Sequence, residues 1–245
     1  MDPATLRDDM VEGLAHETKG VLDSERVGLA MRAVPRHEFV DERVAYEDRT
    51  CEVDGTTVLS PSLVTTLLQA LDPRDGDDTL VVGVGVGYTA AVCAEIVGAE
   101  HVHAVDISRP MVYRARENLA EAGYGAVLVD HRDGTRGLPE YAPFDRILVE
   151  AAAVRPPEAL RSQLSPDGRL VMPRGSPGEQ SLVAVSADGE AERFGPVRFR
   201  PLLLDGEQTG APERNRTHRE DREFAERSAD RRHGWEHEWI DWDRY

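Results

Sequence analysis

Two apolar spacings alternate along the chain, and each predicts a different element. Leu6, Met10 and Leu14, with Val21 beyond them, recur at helical intervals and predict a helix over 4–20. Val27, Ala30, Met31 and Val34 predict a second helix over 24–34. It stops at Val34-Pro35, because proline pushes the residue before it out of the α region. Leu63, Leu67, Leu68 and Leu71 line a third helix. Ser60-Pro61 opens it, with serine as N-cap and proline at the first helical position. The pattern then changes to short continuous apolar runs, the mark of buried strands. These are Leu80–Val82, His101–Val105, Ala126–Val129 and Phe144–Val149. Helices are predicted over Tyr88–Val97, over the segment lined by Val112, Ala115, Leu119 and Ala122 and capped by Gly123, and over Pro156–Leu164. Leu170–Met172, Leu182–Ser186 and Arg193–Phe199 read as three last strands with only turns between them. Asp54-Gly55 reads as a turn and Asp133-Gly134 as a loop. Alternation of this kind predicts an α/β fold with a largely parallel sheet and helices on both faces. The final strands add an antiparallel hairpin at its edge.

The pattern breaks at Asp205. The segment 205–245 is rich in charge and poor in aliphatic residues. It predicts a linker over 205–215 and a solvated helix over 217–232, with opposite charges three and four residues apart. Trp235, Trp239 and Trp242, with Ile240, form an aromatic stripe if their segment is helical. Two readings of the stripe stand: docking on the chain's own domain, or contact with a protein partner or second copy. The expected organisation is a domain over 1–204, with an N-terminal helical segment over about 1–60, and a charged extension over 205–245.

Composition narrows the class. The chain has 245 residues, 40% of them hydrophobic, enough for a substantial core. No apolar run reaches membrane-spanning length, and the N-terminus lacks a signal-peptide pattern, so a cytoplasmic protein without membrane contact is expected. Cys51 and Cys93 supply no disulfide framework and no metal spacing, and both read as small buried hydrophobes. The net charge is −17 and Lys19 is the only lysine, a composition suited to a cytoplasm at very high salt. Such a surface is solvated and self-repelling. No basic patch interleaved with aromatics is present, so nucleic acid is not an expected partner. His233 and His237 lie four apart but are too few to hold a metal, and His101 and His103 read as structural or solvated.

The chemistry concentrates at Leu80-Val81-Val82-Gly83-Val84-Gly85-Val86-Gly87-Tyr88. A buried strand runs into three glycines at alternate positions and then into a helix. Such a turn lets the backbone bend sharply and approach a ligand closely, with the unpaired N–H groups of the helix behind it. The next strand ends in Asp106, about 20 residues further on, where a carboxylate can accept ribose hydroxyls. The site therefore predicts an adenosine-containing cofactor. A dinucleotide fingerprint has its third glycine one residue later, so this spacing favours S-adenosylmethionine over NAD.

Several separate segments, in order, resemble those of the protein-L-isoaspartate O-methyltransferases. They are "AMRAVPRHEFV", "AYEDR", "DGTTVLSP", "VVGVGVGYTAAV", "HAVDI", "RDG" at 132–134, "APFDRILVEAAA", "LSPDGRLVMPRG" and "VRFRPLL". The resemblance extends to about Leu204. It implies a Rossmann-like S-adenosylmethionine-dependent methyltransferase fold with a seven-stranded sheet, and methylation of the carboxylate of isoaspartyl residues in damaged proteins. Gly83, Gly85 and Gly87 would then wrap the methionine end of the cofactor. Asp106, with Ile107, would take the ribose, and Asp133 with Gly134 would lie at the adenine. The transfer needs alignment and desolvation of an ionised carboxylate and a sulfonium methyl, and no strong base.

The sequence departs from the family pattern at three places. An acid is usual two residues before the first glycine, where this chain has Val81. Val84 and Val86 replace small polar residues between the glycines. The family's catalytic serine falls on Leu59, which cannot donate a hydrogen bond. Ser60 is the candidate catalytic hydroxyl in its stead, against its competing role as helix cap; Thr56 and Thr57 are further hydroxyls nearby. These departures keep an alternative open: a diverged paralogue without isoaspartyl activity, acting as a binding or adaptor protein through its tail or as a methyltransferase for another substrate.

Overall fold

The computed structural model of the chain describes residues 2–16 and 19–204. The expected linker, helix and tryptophan stripe of 205–245, with His233 and His237, lie outside the described residues.

Three helices precede the sheet. Helix α1 spans Pro3–Ala15, with the Asp2 side chain accepting the Ala4 N–H at 3.3 Å. It ends short of the expected 4–20 because the chain doubles back: Val21 and Leu22 both donate to the Leu14 carbonyl at 3.1 Å. Gly20, at φ 55°, makes that reversal. Helix α2 spans Glu25–Ala33 and yields to extended backbone at Val34, before Pro35. Helix α3 spans Pro61–Leu71, and Ser60 Oγ accepts the Leu63 N–H at 3.3 Å, the cap expected of it. Between α2 and α3 lies a small hairpin, β1 (Cys51–Val53) and β2 (Thr56–Val58). Its turn residues Asp54 and Gly55 both have positive φ, as a two-residue type I′ turn requires. The turn is visible in the sequence; the strands, three residues each, are too short for their pattern to be read.

The seven-stranded sheet contains β3 (Thr79–Val82), β4 (Val102–Asp106), β5 (Leu128–His131), β6 (Phe144–Val149), β7 (Leu164–Arg174), β8 (Ser181–Ser186) and β9 (Ala191–Pro196). Its order is β5-β4-β3-β6-β7-β8-β9. The first five strands in that order are parallel, and β8 and β9 are antiparallel to their neighbours, as the sequence predicted. Helix α4 (Tyr88–Val97) links β3 to β4, α5 (Arg109–Glu121) links β4 to β5, and α6 (Glu158–Arg161) links β6 to β7.

Alternation along β3 divides the core. Val81 joins a cluster with residues of α1 to α5, whereas Leu80 and Val82 join a second with Phe144, Ile147, Leu138 and Leu160. The second face is covered by the short α6 and by loops. Cys93 is buried, but Cys51 is only half-buried, because β1 sits outside the main sheet. His101 pairs with Asp78 at 2.9 Å and His103 packs against the Tyr141 ring and edge-on to Phe144, both structural roles. No helix among the described residues is long and apolar enough to cross a membrane.

The strand order reverses beside β3. From β3 the chain moves out to β4 and β5 on one side, then returns to β6 and β7 on the other. In open α/β sheets the crevice at the carboxyl ends of the strands, at this reversal, is where ligands bind.

Candidate active site

A cleft opens at that place, at the ends of β3, β4 and β6. Val82 to Val86, Asp106, Ile107, Gly134 and Glu150 line one part of it. The hairpin residues Thr56 to Leu59, with Arg36 and the segment Arg200–Leu203, line the other.

The glycine loop is fixed by its neighbours. Gly83 and Val84 donate to the Val105 carbonyl at 2.8 and 3.1 Å, and Gly85 donates to Asp106 Oδ2 at 2.9 Å. From the other side, Asn118 Nδ2 on α5 donates to the Val86 carbonyl at 2.9 Å. Gly83, Gly85 and Gly87 have φ of 87°, 52° and 97°, a region that disfavours any side chain. Gly87 is the N-cap of α4, and a Cβ there would press on Leu119 Cγ at 3.2 Å. It shapes the loop from behind and does not line the cleft.

Asp106 is 9% exposed and uses both oxygens on the backbone, Oδ2 on Gly85 and Oδ1 on the Ser108 N–H at 2.8 Å. An ionised carboxylate oxygen can accept more than one hydrogen bond. Asp133 and Gly134 divide their work. The Asp133 side chain caps the short 3₁₀ turn Gly134–Arg136, its Oδ1 accepting the Thr135 N–H at 2.9 Å and hydroxyl at 2.6 Å. Gly134 reaches the cleft wall, where a Cβ would fall 2.3 Å from Val82 Cγ1.

The hairpin side is organised by a buried arginine. Arg36 is 1% exposed, its Nη2 donates to the Leu59 carbonyl at 2.7 Å, and its guanidinium lies 4.4 Å from the centre of the Tyr88 ring. Its Nε and Nη1 are buried without a hydrogen-bond partner. Leu59 is 7% exposed and belongs to the core, so the side chain at the expected serine position is apolar and inward. Ser60 does not line the cleft, and its hydroxyl oxygen caps α3. Thr56 and Thr57 do line it. At the rim, Ala152 donates to the Arg200 carbonyl at 2.7 Å and Leu202 to the Ala152 carbonyl at 2.8 Å, while Arg200 Nη1 donates to the Gly55 carbonyl.

Glu150 follows the last residue of β6 and faces the glycine loop. Its N–H donates to the Val82 carbonyl at 2.8 Å, and Oε1 is buried without a partner. Burial pushes its carboxyl up to about 7; Asp106 adds to the shift, and Thr89 and Arg36 oppose it.

Sequence inspection missed Arg36, Asn118 and Glu150. Asn118 left a signal, a polar residue beside Leu119 and three after Ala115 on an otherwise apolar face. Arg36 left only its place after Pro35.

The protein-L-isoaspartate(D-aspartate) O-methyltransferase family model matches residues 7–204. A protein-L-isoaspartate O-methyltransferase of Aeropyrum pernix is 43% identical over 204 residues, covering 79% of this chain and 78% of its own length. One from Methanosarcina mazei is 40% identical over 207 residues, covering 81% and 83%. In fold, the chain superimposes on a Plasmodium falciparum protein assigned as a protein-L-isoaspartate O-methyltransferase and solved in complex with S-adenosyl-L-homocysteine. That comparison has a TM-score of 0.73 and 22% identity, and covers 80% of this chain and 98% of the other.

Proposed function

The chain belongs to the protein-L-isoaspartate(D-aspartate) O-methyltransferase family, and on that premise we propose that it transfers the methyl group of S-adenosylmethionine to the carboxylate of isoaspartyl residues in proteins. The observation that carries the reading is the cleft itself. A glycine loop hydrogen-bonded to Asp106 stands across from a hairpin bearing Thr56 and Thr57 and from the buried cation Arg36.

The cleft suits that cofactor on its own terms. Gly134 lets its turn lie against β3 where any Cβ would collide with Val82, and Glu150 Oε1, buried without a hydrogen-bond partner, can accept from a ligand donor. When bound, S-adenosylmethionine supplies an electrophilic sulfonium methyl. Asp106 would hold the ribose hydroxyls, with Ile107 beside them, and the stretch at Asp133 and Gly134 would border the adenine. Gly83 and Gly85 let the backbone pass close to the amino-acid end.

On the substrate side the nucleophile is a carboxylate already ionised at neutral pH, so no residue has to remove a proton. The chain's tasks are to align it and to strip its water. Val58, Leu59, Val64 and Leu202 supply apolar wall. Arg36 supplies positive charge close to the incoming carboxylate, and the threonine hydroxyls supply donors in place of the absent serine. The family match ends at residue 204, before the charged extension.

The test is transfer of a labelled methyl group from S-adenosylmethionine to an isoaspartyl peptide in high-salt buffer, with the aspartyl isomer as control. Labelling of the isoaspartyl peptide alone, as an alkali-labile ester, is expected for the full chain and for a chain truncated after Leu204. Cofactor binding with an inert isoaspartyl peptide would replace this reading with another methyl acceptor. Loss of cofactor binding would replace it with a binding protein on the same fold.

A further inference from the structure

We infer that Glu150 is the anchor for the ammonium group at the amino-acid end of the cofactor, a carboxylate supplied from the end of β6 where strand β3 offers only Val81. The inference rests on the cofactor reading above and adds a residue to it.

Three observations carry it. First, among the described residues Asp106 and Glu150 are the two carboxylates that line the cleft. Both oxygens of Asp106 already hold the backbone, at Gly85 and Ser108, whereas Oε1 of Glu150 is buried with no partner. A buried carboxylate oxygen left unpaired is costly, and a cationic ligand donor satisfies it. Second, Glu150 starts where the glycine loop starts: a Cβ on Gly83 would lie 3.7 Å from Glu150 Cβ. Third, it reaches the space that an acid at position 81 would serve. Val81 pairs with Leu148 across the parallel strands, and Glu150 is two residues beyond Leu148, on the same face. That face looks toward α4, where Thr89 opposes the upward shift of the Glu150 carboxyl and the Cys93 thiol is pushed up by burial and by Glu150.

The charge balance agrees. Asp106 faces Glu150 from β4, Arg36 from the turn after α2, and Thr89 and Cys93 from α4. Arg36 is already committed to the Leu59 carbonyl and the Tyr88 ring. An arriving ammonium adds the positive charge that this pair of carboxylates lacks, and it favours the ionised form of Glu150.

The experiment compares two ligands by calorimetric titration of the full chain at pH 8. S-Adenosylhomocysteine carries the ammonium; 5′-methylthioadenosine has the same nucleoside and thioether without it. For Glu150→Gln, affinity for S-adenosylhomocysteine is expected to fall about 10- to 100-fold, the scale of one charge-assisted contact, with affinity for methylthioadenosine unchanged within about twofold. Equal loss for both ligands would assign Glu150 a structural role and overturn the inference, as would no loss for S-adenosylhomocysteine. If the unsubstituted chain bound neither ligand, the cofactor reading itself would fall and this inference with it. A second measurement needs no variant. Binding of S-adenosylhomocysteine to the unsubstituted chain should weaken as pH falls from 8 to 6 and Glu150 takes up a proton, while methylthioadenosine binding stays flat. Parallel pH profiles for the two ligands would overturn it.

Discussion

Asp106 Oδ2 accepts the backbone N–H of Gly85 at 2.9 Å, so the acid at the end of β4 and the middle glycine of the loop after β3 are one structural unit. A charged hydrogen bond of this kind stabilises by about 1.5–3 kcal/mol. Asp106→Ala should therefore loosen the empty loop as well as remove a ligand contact. The expected result is a lowered melting temperature without cofactor and at least a roughly tenfold loss of S-adenosylhomocysteine affinity, read by calorimetry. Unchanged stability would separate the two residues again.

Gly134→Ala should destabilise by about 1–3 kcal/mol, the usual cost of overpacking. The added Cβ would stand 2.3 Å from Val82 Cγ1, and a β-branched side chain in a central strand cannot move aside easily. Combining it with Val82→Ala should recover part of the loss, because the two changes act on one contact. Denaturant unfolding of the four proteins measures the coupling.

Asn118→Leu should cost about 1–3 kcal/mol despite its apolar surroundings. The Val86 carbonyl would lose the donor that now reaches it at 2.9 Å from α5. The same change should weaken cofactor binding through the loop, although Asn118 does not line the cleft. A stability loss with unaltered binding would restrict the residue to packing.

Ser60→Ala should lower stability by about 1 kcal/mol and leave methyl transfer intact. Its hydroxyl oxygen caps α3 and lies outside the cleft lining. Thr57→Val, assayed beside it, should reduce transfer with little effect on stability. The reverse outcome would return the catalytic hydroxyl to Ser60.

Glu150 predicts a pH dependence of the empty protein. Its carboxyl is raised from 4.5 to about 7 in the folded chain. Between those values the folded chain keeps a proton that the unfolded chain has lost, so this group's contribution is most favourable below about pH 4.5 and falls as pH rises toward 7. The full swing has an upper limit of roughly 3 kcal/mol. Unfolding curves of the unsubstituted chain and Glu150→Gln should converge at low pH and diverge above neutrality, the variant being the more stable at pH 8 without cofactor. A constant difference across that range would contradict the assignment.

Local rules made much of the chain legible from sequence alone. The stop at Val34-Pro35, the cap at Ser60-Pro61, the Asp54-Gly55 turn and the helix Tyr88–Val97 depend on residues within a few positions of one another. The glycine spacing and Asp106 are equally local in kind: a strand, a turn and the end of the next strand. Alternation of strands and helices was enough for a parallel sheet with an antiparallel edge, because few topologies accommodate that order.

What the tertiary structure decided is which distant residues meet. Arg36 reaches the Leu59 carbonyl, Asn118 reaches the loop at Val86, and Glu150 lies against Gly83, and no spacing in the sequence encodes any of these contacts. The division of labour between neighbours was equally hidden. Asp133 turns to its own loop while Gly134 meets the cleft, and Ser60 caps a helix while Thr57 lines the site. A side chain's direction is set by strand register and packing, and these exist only once the sheet is assembled. Composition and periodicity therefore determined the fold and the kind of cofactor, and the pairing of β3 with β6 decided where the second carboxylate of the cleft would stand.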